Sequence, residues 1–203
     1  MNSRPPPTLI LASGSPRRAS VLGLLGLEFH VRAPDVDETV RVGEPPEALA
    51  ERLARTKATT GAAPGALSLG FDTIVTHRGD ILGKPRSPEE ATGMIERLAG
   101  ETHDVFTGIA IAAPGRVESD VERTTVRFRD IEPGDAAAYV ATGEPLDKAG
   151  AYGIQGLGAS LVTGVEGDFF NVMGFPIQPF QRLLERYGWR YNFGILIGNG
   201  QVS

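Results

Sequence analysis

Leu9-Ile10-Leu11-Ala12-Ser13-Gly14-Ser15-Pro16-Arg17-Arg18 is the stretch from which the rest of the chain is best read. Its apolar start has the length and composition of a buried strand, and the run breaks at Ser13-Gly14-Ser15. A helix then starts at Pro16. Ser15 suits the N-cap, and proline suits the first helical position because its missing N–H would have no partner there. Backbone N–H groups, two serine hydroxyls and two guanidinium groups converge at the positive end of a helix dipole, a place that attracts anions, phosphates above all. It is not a Walker A loop, because no Gly-Lys-Ser/Thr follows the strand. The competing reading is a well-capped helix with two solvated arginines. Adjacent arginines cannot share one narrow helical stripe, so at least one is expected at the periphery.

The chain around this loop is 203 residues long, enough for one sizeable core or two small lobes sharing one. Its 41% hydrophobic and 22% charged residues are those of a soluble globular protein. A net charge of -5 argues against non-specific nucleic-acid binding, so no nucleic-acid partner is expected. An acidic protein that binds phosphates must gather its cations locally. Cysteine is absent, which excludes disulfides, thiolate catalysis and cysteine-based zinc sites. His30, His77 and His103 lack metal-ligand spacing and read as ordinary surface or strand residues. The proline-rich lead has no apolar signal core, and no apolar run approaches a membrane span, so a cytoplasmic protein without a membrane partner is expected.

Moving toward the C-terminus, Val21, Leu22, Leu24 and Leu25 fit a helix ending near Gly26, and Phe29 to Arg32 fit a strand. A second helix is expected from Pro46 to about Thr60, where Leu49, Leu53 and Lys57 share a face. A lysine continuing an apolar stripe is either a snorkelling residue at a helix end or one aimed into a cleft. Leu67 to Thr76 reads as a strand, turning at Gly79-Asp80 into Ile81-Leu82. Ser87-Pro88-Glu89-Glu90 matches a capping box, with a helix behind it that stops at Gly100. His103 to Ala113 and Glu118 to Asp130 read as long strands, followed by a helix over Gly134 to Ala141 and a last helix from Pro176 to Tyr187. Phe193 to Ser203 give no clear signal. Strands and helices mixed without strict alternation predict an α/β or α+β sheet with helices outside.

Several residues could carry chemistry. Asp72 lies inside an apolar run, where a carboxylate costs free energy unless it meets a metal, an arginine or a lysine; otherwise it is a surface residue on an edge strand. In Gly83-Lys84-Pro85, glycine permits close backbone approach and proline stiffens the exit, though a lysine in an ordinary turn reads equally well. Asp37-Glu38 is either a solvated loop or, with Asp72, an oxygen-rich site for Mg²⁺ or Mn²⁺. The glycine-dense run Lys148 to Gly158 has the wrong glycine order for a dinucleotide loop and suits close approach of a flat ligand, with Tyr152 and the Gln155 amide at hand. Cations, acids and an amide together point to a phosphate ester.

These motifs, namely Leu11 to Arg18, Gly70-Phe71-Asp72-Thr73-Ile74-Val75, Gly83-Lys84-Pro85 and Asp147 to Gly156, resemble in sequence and order the Maf-type nucleoside triphosphate pyrophosphatases. The resemblance implies a mixed α/β fold, a twisted sheet with flanking helices, in two lobes around a deep cleft, similar to inosine triphosphate pyrophosphatases. It sets a lead over residues 1–8, a single catalytic domain over 9–190 and a tail of unknown role over 191–203. It also implies a homodimer, a divalent cation as cofactor, and hydrolysis of a nucleoside triphosphate to the monophosphate and pyrophosphate. Asp72 matches the proton acceptor, and Glu38, Lys57 and Lys84 match further residues of the cleft. Glu38 and Asp72 are then expected to hold the metal, and Lys57 and Lys84 to act in catalysis beside Asp72. Arg17, Thr73 and Gln155 match the specificity positions as they stand in the dTTP/UTP branch, with modified pyrimidine nucleotides as further candidate substrates. Ser13, Ser15, Arg17 and Arg18 are expected to grip the triphosphate. Two departures stand out: Phe71 precedes the aspartate where a small residue is usual, and Gly167 to Pro176 is a loose version of the usual ending. The alternative is a non-catalytic nucleotide-binding regulator of septum formation in cell division.

Overall fold

The computed structural model describes residues 5–199, in a mixed α/β arrangement of nine strands, six α-helices and three short 3-10 turns among those residues. In chain order the elements are β1 (Thr8–Ala12), α1 (Pro16–Leu24), β2 (Phe29–Val31), α2 (Pro46–Thr60), β3 (Ala66–His77) and β4 (Asp80–Leu82). There follow α3 (Pro88–Leu98), β5 (Thr102–Ala113), β6 (Arg116–Phe128) and α4 (Asp135–Ala141). The chain closes with β7 (Val162–Glu166), α5 (Phe169–Val172), α6 (Ile177–Arg186), β8 (Trp189–Asn192) and β9 (Ile195–Gly198). The main sheet runs β2-β1-β3-β5-β6-β7, with β4 paired to β3, and β8-β9 is a separate hairpin. β1 lies parallel to β2 and β3, whereas β3-β4 and β6-β7 are antiparallel, so the sheet is mixed.

The described residues divide into two compact units: one of 5–72, 107–122 and 174–199, the other of 73–106 and 123–173. In the first, α2 packs on β3 and β5 almost backbone to backbone. A Cβ on Gly70 would lie 2.2 Å from the Ala54 carbonyl oxygen, and one on Gly108 would lie 2.2 Å from that of Ala50. Ala54, Ala58, Ala110 and Ala112 fill the narrow layer beside these glycines. Beyond it Phe175 packs between Phe71, tilted against it, and Phe180, edge-on to it, with ring centroids 4.6 and 5.2 Å away. Phe71, the departure from the family pattern, is therefore a core residue. In the second unit, α3 packs beside α4, and His103, Phe128 and Tyr152 meet edge to face at 4.8 to 5.2 Å.

The predicted elements form, with informative differences. Ser87 caps α3 by accepting from the Glu90 amide at 3.2 Å, but the Glu90 carboxylate returns to the Arg86 amide at 2.7 Å and not to that of Ser87. The hydroxyl of Ser15, at the N-cap position of α1, makes no capping bond; its own amide instead donates to Ser13 Oγ at 3.2 Å. His30 is exposed, whereas His77 and His103 are buried strand residues. β7 and α5 were not expected: β7 is an edge strand with no buried residue, and α5 spans a single turn. Nor was the hairpin β8-β9 expected, of which only β9 falls in the stretch from Phe193 that gave no signal: four-residue strands with few buried side chains carry too short a pattern. Of the proline-rich lead, residues 1–4 lie outside the described residues, as do 200–203 of the tail. No helix among the described residues is long and apolar enough to cross a membrane.

Because the contact at Gly70 is with main chain, nothing flexible can yield to an added methyl group. Gly70→Ala is expected to destabilise the protein by about 3 kcal/mol, the upper range for overpacking, and to lower Tm by roughly 6–12 °C in a thermal melt.

Candidate active site

The apolar face of α2 carries Leu49 and Leu53, and Lys57 continues it. Since α2 lies so close to β3, the lysine need not reach solvent: its Nζ stands 2.7 Å from Asp72 Oδ1. Asp72 lies on the same face of β3 as Gly70, two residues away, and so faces the same helix. Only 8% of Asp72 and 9% of Lys57 is exposed, which excludes both the edge-strand reading of the aspartate and the snorkelling reading of the lysine. Burial lifts the Asp72 carboxyl above the ordinary aspartate range, although Lys57 and Arg18 pull it down. A carboxylate poised in this way is a better proton acceptor than an exposed one.

Glu38 makes a second ion pair with the Lys57 ammonium and is itself exposed. Its position depends on residues that the sequence did not single out. Arg52 on α2 grips Glu44 bidentately at 2.6 and 2.8 Å and donates to the Thr39 carbonyl at 3.0 Å, tying the loop that bears Glu38 to the helix. The Arg52 hydrogen bond holds the Glu44 carboxyl down at about 2, so this tie persists at any working pH. Asp37 is occupied within the loop by Thr39, as an ordinary turn residue would be.

The opening loop lies in the same unit. Ser13, 7% exposed, accepts from Arg18 Nη1 at 2.9 Å as well as from the Ser15 amide. Arg18 Nε donates to the Gly174 carbonyl at 2.9 Å, and the guanidinium lies over Phe71, 5.6 Å from the ring centroid. Of the two arginines, this one is drawn inward; burial lowers its pKa to about 10, which leaves it charged at neutral pH. Arg17 is half-buried on α1.

Thr73, Lys84 and Gln155 belong to the second unit. Thr73 is half-buried on β3, while Lys84 and Gln155 are exposed. The close backbone approach expected at Gly83 occurs at Gly150 instead. A Cβ on Gly83 would meet nothing within 4 Å, whereas one on Gly150 would lie 2.9 Å from Val75 Cγ1. The Gly150 amide donates to the Gly83 carbonyl at 3.1 Å, so the glycine-rich loop, the Lys84 segment and β3 are laced together. Tyr152 does not face a ligand, contrary to expectation: its hydroxyl bonds His103 Nε2 at 2.8 Å in the core, where burial lowers the His103 pKa to about 4.

Among the described residues no three His, Asp or Glu side chains are grouped to hold a metal ion by themselves. Glu38 and Asp72 nonetheless converge on one cationic centre, the Lys57 ammonium. Two carboxylates, completed by water and substrate phosphate, make the kind of donor set that suits Mg²⁺ or Mn²⁺. The residues present fit such an ion.

Removing the lysine isolates a buried charge. Lys57→Met is expected to cost about 3 kcal/mol of stability at pH 8. The sign follows from linkage: without Lys57 the folded-state pKa of Asp72 rises further above its unfolded value, so the penalty is full at alkaline pH and absent below the ordinary 3.8. Urea unfolding of both proteins across that range measures it.

Known proteins resemble the chain over most of its length. The model of the family described as Maf-like protein matches residues 8–187. A dTTP/UTP pyrophosphatase of Moorella thermoacetica is 50% identical over 184 residues, covering 89% of this chain and 95% of the relative. One of Myxococcus xanthus is 51% identical over 189 residues, covering 90% and 95%, and one of a Geobacillus species is 44% identical over 183, covering 89% and 98%. The chain belongs to the Maf-like protein family.

Proposed function

We propose that the chain is a nucleoside triphosphate pyrophosphatase that hydrolyses dTTP and UTP to the monophosphate and pyrophosphate. The observation that carries this reading is the buried Asp72–Lys57 pair, with Glu38 on the same ammonium, in a chain whose relatives are named for that activity.

In this mechanism Asp72 takes a proton from water as the water oxygen bonds to phosphorus. The bond between the α- and β-phosphates breaks, and pyrophosphate leaves with the electron pair. Lys57, fixed beside the base, and Lys84 offset the charge that builds on the phosphate oxygens. Arg17, Arg18, Ser13 and Ser15 hold the triphosphate. Such transfers depend on positioning and electrostatics more than on a strong nucleophile, which matches a set of charges without one. Glu38 and Asp72 would hold the divalent cation, which when bound neutralises phosphate charge and lowers the pKa of water. Thr73 and Gln155 read the pyrimidine edge, together with Arg17. Hydrogen-bonding sites reject a wrong base because buried polar groups are then left unpaired. A homodimer acting in the cytoplasm is the setting we propose, in keeping with membership of the family.

Pyrophosphate release across a nucleotide panel, with Mg²⁺ or Mn²⁺ and with chelator, tests the reading. dTTP and UTP are expected to exceed GTP and ATP, and chelation to abolish turnover. Tight nucleotide binding with no pyrophosphate release would favour the regulator instead. Asp72→Asn is expected to lower kcat by about 10²–10⁴ while the protein stays folded, its thermal melt lowered because the buried Lys57 ammonium loses a charged partner. Near-normal turnover in that variant removes Asp72 from the role of base.

A further inference from the structure

We infer that Glu144 is a positioning residue for Gln155, holding rigid the loop that presents the Gln155 amide to the nucleotide base. The inference rests on the pyrimidine-reading role proposed above.

Gln155 occupies the N-cap position of the 3-10 turn Gly156–Leu161, and its side chain makes no capping bond. The first amides of such a turn have no partner within it and need an acceptor from elsewhere. Glu144 supplies one. Its Oε2 accepts from the Leu157 amide at 2.9 Å, and its Oε1 accepts from the Gly158 amide at 2.9 Å and from the Tyr139 hydroxyl at 2.8 Å. One carboxylate from eleven positions upstream therefore does the capping that Gln155 would otherwise do, and the amide of Gln155 is left for recognition.

The fit around this carboxylate is close. Gly156 has φ +72°, and a Cβ there would lie 2.7 Å from Glu144 Oε2. A Cβ on Gly158 would lie 2.4 Å from the Tyr139 hydroxyl, which also accepts from the Gly153 amide at 3.2 Å. The loop is thus pinned on both sides of Gln155, at Gly153 by Tyr139 and at Leu157 and Gly158 by Glu144. Lys148 donates to the main-chain carbonyl of Glu144 and pairs with Asp147, which fixes the turn bearing the carboxylate. Burial alone would raise the Glu144 carboxyl, but the two amides and the tyrosine outweigh it and keep the group ionised, the state that accepts all three bonds. Every one of these groups lies in the second unit.

The test is Glu144→Gln in the full-length protein, read in two independent ways. The first is amide hydrogen exchange at Leu157 and Gly158, which is expected to accelerate by about tenfold or more as charge-assisted bonds are lost. The second is the ratio of kcat/KM for dTTP to that for GTP. It is expected to fall by about tenfold or more toward the ratio of Gln155→Ala, with the loss mainly in KM. Tyr139→Phe should move both readouts in the same direction by less, and it decides the matter by itself if Glu144→Gln does not fold. Unchanged exchange, or an unchanged substrate ratio despite faster exchange, overturns the inference. A parent enzyme with no preference for dTTP or UTP would overturn the base-reading proposal instead, and amide exchange would still decide whether Glu144 holds the loop.

Discussion

The ion pair between Lys57 and Asp72 is the interaction around which the first unit is arranged. A charge pair removed from water is stable only when its geometry is good, because desolvation costs several kcal/mol per ion. That geometry is set by the closeness of α2 to the sheet, which glycine at 70 and 108 permits, since a Cβ at either would run into the main chain of the helix. A helix held further off would leave Lys57 short of the aspartate. The loop bearing Glu38 then completes the group, tied to the same helix by Arg52.

The second unit solves a different problem, the presentation of an exposed amide on a short irregular segment. Loops owe their order to hydrogen bonds as much as to buried area, and here three donors share one carboxylate. The aromatic group of His103, Phe128 and Tyr152 supplies the apolar support beneath. The glycine-rich run suggested close approach of a flat ligand with Tyr152 at hand, yet the tyrosine is buried against His103.

Much of this was legible in the chain. Periodicity marked α2, α3 and α6, and the unbroken apolar run around Asp72 marked β3, because buried elements impose their period on the sequence. The pairing of Lys57 with Asp72 was foreshadowed by two polar residues in apolar settings, each of which needs a partner. What the sequence hid was of two kinds. β7 and the β8-β9 hairpin are short and largely exposed, so burial imposes no pattern on them. Arg52 and Glu144 are charged residues on polar faces, indistinguishable in the sequence from solvated ones until the fold shows what they grip. The alanine spacing of α2 and the glycines inside two strands did carry a signal for the close contact, and it is legible in retrospect.

The contact of α2 with the sheet also bears on how such a protein can drift. In a core of leucines and phenylalanines, an enlarged residue can be accommodated by shrinking its neighbour, so pairs of changes trade volume and the fold survives both. At Gly70 and Gly108 the neighbour is the carbonyl and amide of the helix itself, which no substitution can make smaller. A change at either position therefore has no second-site partner to relieve it short of moving the whole helix, and the helix carries Lys57. Those two glycines are closed to compensated exchange in a way that the larger residues of the core are not.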